Sequence, residues 1–158
     1  MMTSPSVIVM DEPSTGLDPQ SRNRVWEELA VLKDAGVTVL LSTHYMEEAT
    51  ILCDRLSIMD QGKILDEGTP DQMIERHAPK EVAQLRVSPV SIRTVRGYLT
   101  EQNITFREVG ALVSVTGANG DRPDLTGLKD VEGVRTSYRA GNLEDVFLAI
   151  TGRELRDG

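Results

Sequence analysis

VIVMDEPSTGLD, residues 7–18, is the stretch from which the fold of this 158-residue chain is interpreted. Its first four residues, Val7 to Met10, are all apolar and do not alternate with polar ones, which predicts a strand buried on both faces, as in a parallel sheet. Pro13 ends the strand because proline has no N–H to donate to a neighbouring strand. Asp11 and Glu12 therefore lie at the carboxyl end of a strand, which is where open α/β sheets bind their ligands.

Two adjacent carboxylates at this position suit a site for a metal ion and a phosphate. An aspartate there can hold Mg²⁺ through retained water, because Mg²⁺ prefers oxygen ligands and loses its water reluctantly. The neighbouring glutamate can orient or deprotonate an attacking water molecule. The residues alone leave an alternative open, in which the strand ends in a solvated turn that binds nothing.

Residues 7–18 also resemble a pair of motifs from one known family. Four apolar residues followed by Asp-Glu-Pro-Ser-Thr-Gly-Leu-Asp resemble the Walker B motif and the D-loop of ABC-transporter ATPases. The resemblance implies an ATP site in which Asp11 binds Mg²⁺ through water and Glu12 is the catalytic base. It also implies that a D-loop meets a second ATPase subunit across the ATP, and the residues of this loop are Ser14, Thr15, Gly16, Leu17 and Asp18.

A helix and a second apolar strand follow the motif. Residues 19–35 carry apolar side chains at helical spacing, with Asp18 as the expected N-cap and Pro19 in the first turn. Residues 37–42 are again an apolar run. Strand, helix and strand of these lengths predict one βαβ unit with parallel strands.

His44 comes shortly after the second strand. If the two strands are parallel neighbours, His44 leaves the sheet at the same edge as Asp11 and Glu12, where its imidazole could donate a hydrogen bond to a phosphate oxygen. A single histidine after a strand is more often structural. Its place nevertheless agrees with the H-loop histidine of the ABC family, which contacts the γ-phosphate, so the resemblance implies a catalytic and nucleotide-binding role for His44. His77 has no such setting and is interpreted as a linker residue.

The remaining sequence predicts a hairpin over 55–67, a helix, a boundary at 78–80 and a second domain. We expect a partial ABC ATPase domain over 1–77 and a C-terminal appendage over 81–158. The appendage shows the order β-α-β-β-α-β-α, which is typical of a small α+β sandwich. The expected fold class is therefore α/β, with the C-terminal part of a P-loop NTPase core, built on parallel strands, followed by an α+β appendage.

The appendage carries no recognisable metal-ligand cluster, phosphate loop or nucleophile–base pair, which favours a packing or docking module. Residues 142–152 resemble the C-terminal ending of the drug- and antibiotic-exporter branch of ABC ATPases, the daunorubicin-resistance type. A regulatory role is one alternative for this region, and the binding of a small effector is another.

Composition excludes several classes of protein. The formal net charge is −8 and there is no basic stripe, so no nucleic-acid partner is expected. The single cysteine, Cys53, cannot form an internal disulfide, which agrees with a reducing compartment, and its apolar setting indicates a core residue. No apolar run approaches the ~20 residues of a membrane span, and no signal peptide is visible.

The sequence contains no G-x-x-x-x-G-K followed by Ser or Thr, and no Leu-Ser-Gly-Gly-Gln signature. The resemblance therefore implies the C-terminal part of an ABC exporter ATPase that couples hydrolysis of Mg·ATP to transport. In the family, such a subunit works with a second ATPase subunit and a membrane-spanning permease, as a cytoplasmic protein on the inner face of the membrane. Because backbone amides of the P-loop supply most of the phosphate affinity, we expect the isolated chain to be inactive. The alternative is a non-catalytic interaction module that pairs with another ATPase subunit.

Overall fold

The computed structural model describes residues 6–152, apart from the side chain of Ala118. This part of the chain divides into two compact units, residues 6–70 and residues 71–152. The helix at Pro70–His77 begins at the division, so most of it is assigned to the second unit. The division of this chain into a domain over 1–77 and an appendage over 81–158, with a boundary at 78–80, remains a prediction.

The first unit is the predicted βαβ element followed by a short helix and a hairpin. Its strands and helices are β1 (Val7–Asp11), α1 (Pro19–Asp34), β2 (Thr38–Ser42), α2 (Met46–Leu52), β3 (Leu56–Asp60) and β4 (Lys63–Gly68). Strands β1 and β2 are parallel, as the sequence predicts, and β3 and β4 are antiparallel. The two pairs form separate two-stranded sheets. This mixed α/β arrangement agrees with the expected partial NTPase core.

One face of the β1–β2 pair is covered and the other is open. Buried Trp26 and Leu29 of α1 pack with Leu52, and the inward residues of both strands join this cluster. On the other face, Val9 is 72 % exposed and Leu40 is 62 % exposed. The prediction that β1 and β2 are buried on both faces is therefore wrong within the described residues, 6–152, because α1 covers only one face of their sheet.

The second unit is an antiparallel sheet with helices, as predicted for the appendage. It contains α3 (Pro70–His77), β5 (Glu81–Val87), α4 (Ile92–Glu101), β6 (Thr105–Val109), β7 (Leu112–Thr116), β8 (Val134–Ala140) and α5 (Leu143–Thr151). The strand order is β6-β7-β5-β8, with every pair antiparallel. The short helix expected between β7 and β8 is only a 3₁₀ turn, Thr126–Leu128. The core of this unit lies between the sheet and α4, where Leu85, Val95 and Leu99 are fully buried.

Candidate functional site

The parallel pairing brings the two polar strand ends together. Asp11, the last residue of β1, is in register with Ser42, the last residue of β2. The Ser42 hydroxyl donates a hydrogen bond to Oδ1 of Asp11. The backbone N–H of Glu12 donates to the Ser42 carbonyl at 3.0 Å, which extends the pairing by one residue beyond β1. The candidate site therefore begins where the ladder of the parallel strands ends.

Glu12 turns the chain out of the sheet through an unusual backbone conformation. Its φ angle is +49°, in the left-handed region that residues with a Cβ rarely adopt. The carbonyl of Glu12 then accepts a hydrogen bond from the N–H of Thr15 at 3.1 Å, which closes a tight turn. Backbone strain of this kind is concentrated at functional sites.

Glu12 and His44 are in direct contact across the edge of the sheet. Nδ1 of His44 lies 2.7 Å from Oε2 of Glu12, and the hydroxyl of Thr15 donates to the same oxygen at 2.9 Å. Burial of Glu12 removes water and opposes its ionisation, but the hydrogen bonds from His44 and Thr15 and the charge of His44 outweigh this effect. Together they hold the pKa of Glu12 below its usual value. The glutamate is therefore ionised at neutral pH and is bonded to the imidazole.

The loop between β1 and α1 contains a buried serine and ends at the residue that caps α1. Ser14 is fully buried, and its hydroxyl has no hydrogen-bond partner. Asp18 caps α1, because its carboxylate accepts from the backbone N–H groups of Gln20 and Ser21 at 3.0 and 3.1 Å. The Ser21 hydroxyl also donates to Asp18 at 2.6 Å, and these bonds lower the pKa of Asp18. The predicted N-cap is thus confirmed, whereas a role for residues 14–18 at a subunit interface remains a prediction.

The donor atoms at this edge fit a hard cation. Asp11, Glu12, Thr15 and Ser42 offer carboxylate and hydroxyl oxygens, the ligands that Mg²⁺ prefers. Within residues 6–152, no cluster of three or more His, Cys, Asp or Glu side chains forms a metal cage. A Mg²⁺ ion held here would therefore be bound by few protein oxygens, with water and phosphate oxygens as its remaining ligands, which is its usual state in phosphoryl-transfer sites.

Sequence reasoning did not identify two hydrogen bonds of this site. The Ser42 hydroxyl on Asp11 and the Thr15 hydroxyl on Glu12 appear only once the strands are paired and the turn is closed. The position of Ser42 at the end of the second apolar run was the available signal. If parallel strands of equal length are aligned end to end, Ser42 is brought beside Asp11.

Residues 71–152, the second unit, show no cluster of carboxylate and histidine side chains like that formed by Asp11, Glu12 and His44. Its polar contacts are ion pairs such as Arg96 with Glu108 at 2.9 Å and Arg139 with Asp145 at 2.6 Å. Each joins neighbouring elements of the unit and is explained by structure alone. Across residues 6–152, no helix has both the length and the apolar character to span a bilayer.

The chain is similar to ATP-binding proteins of bacterial export systems. It is 40 % identical over 157 residues to the Nod factor export ATP-binding protein I of Cupriavidus pinatubonensis, covering 99 % of this chain and 47 % of that protein. It is 39 % identical over 158 residues to the protein of the same name from Cupriavidus metallidurans, covering 99 % of this chain and 51 % of that protein. The chain thus spans about half the length of the curated relatives it matches.

No family model matches the chain. Among solved structures, cbiO1 from Clostridium perfringens, part of the ABC transporter complex cbiONQ, is 27 % identical over 61 % of this chain and 37 % of that chain, with a TM-score of 0.39. Both relatives are named as ATP-binding proteins, which agrees with the ATP site that the resemblance at residues 7–18 implies.

Proposed function

We propose that this chain forms part of the ATP-hydrolysing subunit of an ABC-type exporter and contributes the carboxylates and the histidine of its Mg·ATP site. The observation that carries the proposal is the contact between Glu12 and His44, at 2.7 Å, beside Asp11 at the carboxyl edge of two parallel strands. The hydrogen bonds of the Glu12 carboxylate to His44 and Thr15 support this proposal over a turn that binds nothing.

Each residue has a distinct part in the proposed reaction. Asp11 would hold Mg²⁺ through water, and the Ser42 hydroxyl orients its carboxylate. Glu12 is ionised at neutral pH and can orient and deprotonate the attacking water. His44, through the ring nitrogen that does not face Glu12, contacts the γ-phosphate. When bound, Mg²⁺ would neutralise part of the charge on the phosphates.

The remaining parts of the proposal concern the assembly. Residues 14–18 form the D-loop that meets a second ATPase subunit, and a permease carries the substrate across the membrane. The assembled subunit lies on the cytoplasmic face of that membrane. Export is the direction named for the relatives in both Cupriavidus species. The ending at 142–152 supports the drug- and antibiotic-exporter branch, and the second unit serves as a packing, docking or regulatory appendage.

Nucleotide binding is tested on the ¹⁵N-labelled chain with Mn²⁺·ATP at millimolar concentration. Mn²⁺ replaces Mg²⁺ and broadens the amide signals near its binding site. We expect broadening at residues 11, 12 and 43–45, and we expect Asp11→Asn to abolish it. Asp60→Asn removes another aspartate from the end of a strand, β3, and should leave the broadening unchanged. Broadening elsewhere, or broadening that survives Asp11→Asn, would refute the assignment of the site.

Catalysis by the 158-residue chain is a separate question. Because the sequence has no P-loop lysine or amide cradle, we expect no steady release of phosphate from ATP by the purified chain. Steady release that is abolished by Glu12→Gln would contradict this expectation, although it would support the role of Glu12. Glu12→Ala and His44→Ala serve as further variants in the same assay.

A second candidate function is a non-catalytic module that pairs with another ATPase subunit. The exposed apolar side chains of Val9 and Leu40 on the open face of the β1–β2 sheet favour it. Native mass spectrometry of the chain mixed with an ABC ATP-binding subunit that carries its own P-loop should then detect a complex. Leu40→Lys should weaken that complex, whereas Val90→Lys, at a side chain that is 90 % exposed, should not. Detection of the free monomer alone would reject this candidate.

A further inference from the structure

A column of contacting side chains extends from Glu12 through His44 to α1. The ring centroids of His44 and Tyr45 are 4.3 Å apart, with their planes inclined by 35°. The guanidinium carbon of Arg22 lies over the Tyr45 ring, 4.4 Å from its centroid. Both distances allow attraction, between two rings in the first case and between a cation and the face of a ring in the second. We refer to Arg22, Tyr45, His44 and Glu12 as the Arg22–Glu12 column.

Arg22 and Tyr45 are each held in place by contacts of their own. Nε of Arg22 is buried and has no hydrogen-bond partner, a costly state for a charged group unless another attraction compensates. The electron-rich face of Tyr45 supplies that attraction. Tyr45 itself is fixed at the start of α2, since its N–H donates to the Thr43 hydroxyl at 3.0 Å and its carbonyl accepts from Ala49 at 3.1 Å.

The orientation of the His44 ring determines what it can do chemically. With Nδ1 at 2.7 Å from Oε2 of Glu12, a carboxylate oxygen that accepts, the hydrogen bond places a proton on Nδ1 and leaves Nε2 as the ring nitrogen that does not face Glu12. Rotation of the imidazole out of its present plane would carry Nδ1 away from Oε2 of Glu12 and break this bond. The Tyr45 ring, packed against the imidazole with its plane inclined by 35°, opposes rotation out of that plane.

We propose that Tyr45, held by Arg22, is a positioning residue that keeps the His44 imidazole oriented with Nδ1 on Glu12 and Nε2 available to a ligand. Tyr45 touches no reacting atom and acts through His44. The purpose of the outward Nε2 rests on the proposed function, whereas the ring orientation is a property of the chain without nucleotide.

The tautomer of His44 is the measurement that tests the proposal. Long-range ¹H–¹⁵N spectra at pH 8 report which ring nitrogen carries the proton, and the chain has only two histidines, His44 and His77. We expect wild-type His44 to be mainly the Nδ1–H tautomer. Tyr45→Ala should reduce the ratio of Nδ1–H to Nε2–H roughly threefold or more, which corresponds to the loss of one ring-stacking contact. His77 lies in the other unit and serves as the internal reference.

Conservative variants separate positioning from general destabilisation. Tyr45→Phe keeps the ring and should retain the wild-type ratio, whereas Tyr45→Leu keeps the bulk without the aromatic face and should lower it. Arg22→Gln removes the cation and should lower the ratio less than Tyr45→Leu does. Far-UV circular dichroism establishes that each variant is folded, and if Tyr45→Ala does not fold, the comparison of Phe with Leu decides.

Two results would overturn the proposal. One is a wild-type His44 that is mainly the Nε2–H tautomer, and the other is a Tyr45→Leu variant with the wild-type ratio. These measurements contain no nucleotide. Failure of the Mn²⁺·ATP experiment therefore leaves the positioning role of Tyr45 intact, and failure of the tautomer experiment leaves the nucleotide site intact.

Discussion

Glu12 combines a strained backbone with the most densely bonded carboxylate oxygen of the candidate site. Its φ of +49° brings its Oε2 within reach of both His44 and Thr15. A left-handed conformation costs a residue with a Cβ about 1–2 kcal/mol, and glycine is free of this cost. The chain therefore gives up stability at the position where the proposed chemistry needs the carboxylate.

The strain at Glu12 predicts a difference between two substitutions that both remove the carboxylate. Glu12→Gly should be more stable than Glu12→Ala by about 1 kcal/mol, because only glycine adopts the positive φ without steric cost. Gln61 has the same φ of +49° in the turn between β3 and β4, so Gln61→Gly and Gln61→Ala provide a matched pair. Urea denaturation measures all four. A difference at Gln61 with none at Glu12 would show that residue 12 is not strained.

Cys53 is predicted to be a poor nucleophile. It follows α2 and is partly buried, and desolvation by this burial raises the pKa of its thiol above the usual value. The thiolate fraction at pH 8 is therefore small, and we expect iodoacetamide to alkylate Cys53 more slowly than it alkylates free cysteine. The same reaction in 6 M urea is the control and should reach the rate of the free thiol. Equal rates in the folded and unfolded chain would contradict the prediction.

At the scale of elements, α1 and α5 each begin after a residue whose side chain caps the helix, Asp18 and Asn142. Asn142 and Asp145 form a capping box at the start of α5, in which the Asn142 side chain accepts from the Asp145 N–H at 3.1 Å. The Asp145 carboxylate accepts from the Asn142 N–H at 2.9 Å and also binds Arg139. Gly152 ends the helix in the left-handed conformation, with φ of +65°.

Removal of the Asn142 side chain should destabilise the start of α5. We expect Asn142→Ala to lower the free energy of unfolding by about 1 kcal/mol, because the backbone N–H of Asp145, in the first turn of α5, loses its acceptor. Asn142→Ser keeps a short side-chain oxygen and should lose much less. Thermal and urea unfolding of both variants measure the effect. A serine variant as unstable as the alanine variant would mean that the cap is not the source of the loss.

At the scale of the whole molecule, each unit has its own hydrophobic core. In the second unit the sheet and α4 enclose Leu85, Val95 and Val115, all without exposed surface. In the first unit the cluster around Trp26 lies on one side of the β1–β2 sheet only. The packing of the second unit therefore resembles that of an independent domain, while the first unit leaves an apolar strand face exposed.

Two valines test the contribution of the second core. Val95 is fully buried and Val90 is 90 % exposed, so the same substitution can be compared at both positions. Val95→Ala should cost about 2 kcal/mol, from the transfer of two carbon atoms and the cavity they leave. Val90→Ala should change stability by less than about 0.5 kcal/mol. Unfolding followed by circular dichroism measures both, and equal effects would contradict the assignment of the core.

Local patterns in the sequence were sufficient to predict most elements of this protein and the residue types of the candidate site. The caps at Asp18 and Asn142, the hairpins and the position of Asp11 and Glu12 at a strand end depend on residues within a few positions of each other, and such signals are contained in a single sequence.

Contacts between distant segments were decided by the tertiary structure alone. The register that pairs Asp11 with Ser42, the bond between His44 and Glu12 and the stacking of Arg22 on Tyr45 each join residues more than 20 positions apart. The apolar run of β1 indicated a strand that could be covered on both faces, but coverage depends on which other segments pack against it, and α1 covers only one. Sequence spacing specifies which side chains share a face, whereas the pairing of backbones determines which faces meet.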